Sequence, residues 1–87
     1  MSERGTELYA FIADRLDEEM RQRYAQEGSD AVDRYGDQRR EAMALHTAML
    51  DAQSAGDEDE AARHREALAD RAAVWAVHPD HPLRAAA

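Results

Sequence analysis

His78 and His81 bracket Pro79 and Asp80 in the run His78-Pro79-Asp80-His81-Pro82, where two imidazoles and a carboxylate stand at a spacing that suits a metal ion. A metal centre needs three or four ligands converging in space, each oriented by a supporting hydrogen bond. One short cluster does not supply that, so the run reads as a helix stop followed by a docking tail, and no metal is assigned to it. His46 and His64 lie on the apolar sides of two helical segments and read as partly buried histidines rather than catalysts. Should they meet across a helix interface, two titratable rings would share one contact.

Carboxylates outnumber the arginines, 19 Asp and Glu against 11 Arg, for a net charge of −8. Asp14/Asp17 and Glu27/Asp30, one helical turn apart, and Glu66/Asp70 at i, i+4 resemble the carboxylate pairs by which all-helical nucleotide pyrophosphohydrolases hold magnesium. The spacings are not those of that family, and such enzymes need basic residues for the triphosphate, so a carboxylate-metal hydrolase ranks last among the readings. With no cysteine there is no disulfide, thiolate zinc site or cysteine nucleophile. No Gly-rich phosphate loop, HExxH or Ser/His/Asp order stands out. The chain reads as non-enzymatic, with no catalytic residue and no cofactor.

The elements that would position these residues are helices. Leu8, Ile12, Leu16 and Met20 recur at four-residue steps, flanked by Tyr9, Phe11 and Tyr24, which marks one apolar stripe. Thr6 is a plausible N-cap and Gly28 a natural stop. Ser29 or Asp30 opens a second segment through Val32, Tyr35, Ala42, His46, Met49 and Gln53, closing near Ser54. Gly36 interrupts it, so Asp37 is an alternative start; the continuous reading is favoured. Asp57 followed by Glu60 resembles a capping box, the firmest local signal in the chain. Ala61, His64, Leu68, Ala72 and Trp75 then mark one face until Pro79 forces its predecessor out of the helical region.

Half of the 38 hydrophobic residues are alanine, 19 in all, so large apolar side chains are scarce. Burying a Leu, Ile, Met or Phe yields roughly 1.5–3 kcal/mol, while alanine brings little more than a methyl group. The core is expected to be thin and completed by a partner or second copy. Trp75, the single tryptophan, suits a core plug or an interface anchor equally. Asp17/Arg21, Glu19/Arg23 and Asp59/Arg63 fall at helical spacing and read as a solvated face. The acidic balance argues against direct binding to nucleic-acid phosphates. No apolar run reaches the roughly 20 residues of a bilayer span, and Met1 to Gly5 lack a signal peptide's apolar stretch, so the expected location is cytoplasmic. The absence of lysine and asparagine fits a GC-rich coding genome.

The segment Leu8 to Glu19 and the ending Trp75-Ala76-Val77-His78-Pro79-Asp80-His81 together resemble a family of small proteins of actinobacteria and their phages. Its members open on an L-x-x-F-L-x-x-R-L-D-E-D helix and close on an apolar helix followed by H-P-D-Y; Arg39 to Leu50 would match their central Arg-, Glu- and His-rich helix. His81 stands where the family has an aromatic residue. No activity is established for the family, so the resemblance implies a source, phage or prophage included, and no mechanism.

These readings converge on an all-α fold, a helical hairpin or three-helix bundle, with helices over 6–27, 30–54 and 57–77. Residues 1–78 form the single domain and 79–87 an irregular tail. The expected function is protein–protein interaction, with a symmetric homodimer whose interface candidates are Leu8, Ile12, Leu16, Met20, Leu68 and Trp75. The alternative is an acidic inhibitor occupying a partner's nucleic-acid-binding surface.

Overall fold

The computed structural model describes residues 3–82. Among them run three α-helices, α1 (Glu3–Glu27), α2 (Ser29–Ser54) and α3 (Glu58–Ala72), followed by a 3-10 turn, Ala73–Trp75. Short joints force an antiparallel order. At Gly28, φ is +59°, and this single left-handed residue ends α1 and opens α2. Neither Ser29 nor Asp30 caps α2 with its side chain, because Gly28 itself holds the cap position.

The second joint is tighter chemically. Gly56 (φ +78°) donates to the Gln53 carbonyl (3.0 Å) and Asp57 to that of Ala52 (2.9 Å), a Schellman closure of α2. Asp57 then turns its side chain forward to accept from the Glu60 amide at 3.1 Å, capping α3 as the spacing predicts. Glu58, Asp59 and Glu60 occupy the first turn of α3, where carboxylates suit the positive end of the helix dipole.

Two boundaries differ from expectation. Helix α1 starts at Glu3 rather than Thr6, whose hydroxyl lies 3.0 Å from His46 Nε2 and so is spent on α2 instead of a cap. Helix α3 ends at Ala72, five residues early, because its last turn tightens into the 3-10 turn ahead of Pro79. Helix α2 runs unbroken through Gly36.

The core lies between the three helices. Leu8, Ile12 and Leu16 of α1, Met49 of α2 and Leu68 of α3 are its fully buried large side chains. Ala31, Ala42, Ala61 and Ala72 are buried among them, so the alanine-rich faces serve close helix approach rather than exposure. This corrects the interface assignment. Leu8, Ile12, Leu16 and Leu68, each at most 2% exposed, are consumed inside one chain and have no surface to offer a second copy. Met20 and Trp75 are partly buried against the same core.

Length is the remaining determinant. At 1.5 Å per residue the 15 residues of α3 rise about 22 Å, against about 38 Å for α1 and α2. The α1–α2 hairpin therefore overhangs the end of α3, and a step is left beside Trp75.

Gly5 and Gly36 make opposite predictions. An added Cβ at Gly5 would overlap the Sδ and Cε of buried Met49, whereas at Gly36 the nearest atom is Arg40 Nη1 at 3.7 Å. Gly36→Ala is expected to stabilise the fold by up to about 1 kcal/mol and Gly5→Ala to destabilise it by about 1–2 kcal/mol, read by chemical denaturation.

Candidate functional site

The step at the end of α3 is a cleft of about 470 Å³. Ile12 and Leu16 form its floor, Trp75 and Val74 its α3 side, and Tyr35 and Gln38 its α2 side. Glu19 lies in it, half-buried, with each carboxylate oxygen engaged. Trp75 donates its indole N–H to Oε2 at 2.6 Å, and the Tyr35 hydroxyl donates to Oε1 at 3.3 Å. Three elements are thus tied through one carboxylate. Val74, which lines the cleft, is 76% exposed, and Val77, two residues beyond Trp75 in the chain, is 81% exposed; they are the most exposed of the large apolar side chains described.

On the other side of Trp75, the chain folds back over α1. Phe11 is the platform: the rings of Trp75, His78 and His81 meet it edge-on, with centroids 6.1, 5.6 and 5.0 Å away. The Arg15 guanidinium covers the same ring at 5.3 Å. Arg15 Nη1 lies 2.7 Å from His78 Nε2, while the Asp80 amide approaches Nδ1 at 3.0 Å; a neutral imidazole accepts from one of the two. Asp80 and Glu18 flank the guanidinium at 3.7 and 3.4 Å. The irregular segment after Pro79 is packed through Pro82, with His81 buried; residues 83–87 of the expected tail lie outside the described residues.

The other singled-out residues are dispersed. His46 stacks on Tyr9 (4.8 Å, 2° between planes), whereas His64 pairs with Glu60 of its own helix at 3.3 Å, so the two histidines do not meet. Asp17 crosses to Arg39 at 2.9 Å instead of pairing with Arg21, and Arg63 takes Glu60 at 2.6 Å instead of Asp59. Glu27 accepts from Arg34 at 2.5 Å, and that bond, aided by Arg23, holds its carboxyl below the usual carboxylate range. Among the described residues no three His, Asp or Glu side chains converge as metal ligands. No described helix is long and apolar enough to cross a membrane.

No protein-family model, curated protein or solved structure matches this chain.

Glu19 and Phe11 do not stand out as site residues in the sequence, whereas Tyr35, an amphipathic aromatic, suits an interface or a core edge. Glu19 reads as the partner of Arg23, yet it lies seven residues after Ile12 and eleven after Leu8, on the apolar stripe itself. A carboxylate on a buried face needs donors, and that was the available signal.

Proposed function

We propose that this chain is a non-enzymatic protein-interaction module whose contact surface is the end of α3. The observation that carries this reading is the exposure of Val74 and Val77, which flank half-buried Trp75 in the chain, Val74 and Trp75 lining a cleft floored by Ile12 and Leu16. Held in water, the two valines add little to the monomer. Buried against a partner, each is worth about 1.5–3 kcal/mol. An aromatic anchor with apolar neighbours and a polar rim is the usual make-up of an interface centre. Here Trp75 is the anchor, and its bond to Glu19 fixes the ring before any partner arrives.

The test is the pair of substitutions Val74→Asp and Val77→Asp. Partner capture is expected to be lost while the melting temperature stays within about 3 °C, because neither side chain contributes to the core.

A second copy as the partner is the other reading, favoured by one observation: Val74 both projects from this surface and lines the cleft beside it. A two-fold contact would seat each copy's turn in the other's cleft. Light scattering at micromolar concentration decides, a mass near twice 9.8 kDa supporting the dimer and a monomer mass removing it.

A further inference from the structure

We infer that the cleft beside Trp75 receives an arginine side chain presented by the partner protein, an assignment that rests on reading the end of α3 as a docking surface. The cleft holds carboxylates that no arginine of the described residues pairs. Arg15, Arg23, Arg34, Arg39, Arg40, Arg63 and Arg71 are each paired with an acid elsewhere. None of the ion pairs among the described residues includes Glu19 or Asp70, the two carboxylates that line the cleft. Arg71, the one cation among the described residues that line it, is drawn off to Glu41 at 3.0 Å.

Glu19 is oriented without being neutralised. Trp75 and Tyr35 are neutral donors, one on each oxygen, and each oxygen keeps a further lone pair. The acceptor capacity left on each oxygen suits a guanidinium, which carries several N–H donors in one planar fork. The surrounding surface suits the rest of the side chain. Trp75 gives an aromatic face on which a guanidinium stacks, the Tyr35 ring being already covered by Arg34 at 5.0 Å, and Val74 gives apolar contact for its methylene stem. Lysine fits less well, since a compact ammonium is more strongly hydrated and cannot fork. In a chain of net charge −8, a basic residue on the partner also meets a favourable long-range field.

Trp75 is the only tryptophan, so the protein gives a single indole N–H signal, and that proton points at Glu19. The probe is the peptide acetyl-Leu-Arg-Leu-amide titrated to millimolar concentration into the 15N-labelled full chain, beside the same peptide carrying citrulline or lysine in place of arginine. The arginine peptide is expected to move the indole signal saturably. Citrulline, of nearly the same shape without the charge, should bind about tenfold or more weakly, and Glu19→Gln should lower arginine-peptide affinity by a similar factor. Because Glu19→Gln also touches Trp75, Asp70→Asn is the second variant; it makes no described ion pair and should weaken binding about threefold with an unchanged melt. An indole signal unmoved by the arginine peptide, or equal binding of the citrulline or lysine peptide, overturns the assignment. If the arginine peptide fails while Val74→Asp with Val77→Asp still abolishes partner capture, the docking surface stands and the arginine occupant falls.

Discussion

Leu68→Ala is expected to lower the melting temperature by about 10–25 °C, followed by circular dichroism at 222 nm. Leu68 is the large side chain that α3 commits fully to the core; its other buried positions are Ala61 and Ala72. Truncating a buried leucine costs about 2–5 kcal/mol, the larger values arising where neighbours cannot close the cavity. Alanine neighbours have no rotamers with which to do so. A chain of 87 residues has a total stability of roughly 4–13 kcal/mol, so a large fraction is removed at once. Each kcal/mol moves the midpoint of so small a domain by about 4–8 °C. A shift under about 5 °C would mean that α3 is held by something other than its Leu68 contact.

Phe11→Ala is expected to cost about 3 kcal/mol and, beyond that, to release the chain after α3. The ring is the shared platform of Trp75, His78 and His81 and sits under Arg15, so four side chains lose their packing partner together. The prediction has two readouts. Trp75 fluorescence should shift to the red as the indole gains solvent, and the His81 backbone amide should lose protection from hydrogen exchange. Phe11→Leu keeps the apolar volume but not the ring edges, and should cost about 1 kcal/mol with the segment still docked. Full retention of His81 protection in Phe11→Ala would show that the segment is held by the Arg15 contacts instead.

The helical architecture was legible because local signals in this chain are strong: the four-residue stripe from Leu8 to Met20, Gly28 and Gly56 at the joints, and Asp57 as a cap for Glu60. The start of α1 was not, since what removes Thr6 from the cap position is His46, forty residues away. Leu8, Ile12, Leu16 and Leu68 dropped out of the interface candidates for a related reason. A stripe seen in sequence has no partner attached to it, and the scarcity of large side chains suggested that a second copy was needed to cover Leu8, Ile12 and Leu16. In three dimensions Met49 and Leu68, with buried alanines, cover them within one chain. The cleft was invisible for a geometric reason, because it follows from the difference in length between α3 and the hairpin, and the true end of α3 depends on where the 3-10 turn begins. Sequence left Trp75 as either a core plug or an interface anchor; in the fold Phe11 lies against one edge of its ring and the indole lines the cleft.

Val74 and Val77 serve a partner, in the function proposed above, and not the fold. The direct measurement is quantitative affinity capture from the native host with three baits: the unaltered chain, Val74→Asp with Val77→Asp, and Met43→Asp. Met43 is the control because it is 51% exposed on α2, so its replacement adds the same charge to an apolar surface residue away from the cleft. All three should melt within about 3 °C of one another. A specific protein retained by the unaltered and Met43→Asp baits and lost from the Val74/Val77 variant is the predicted result. Retention of the same proteins by all three baits, or their loss through Met43→Asp alone, would contradict it.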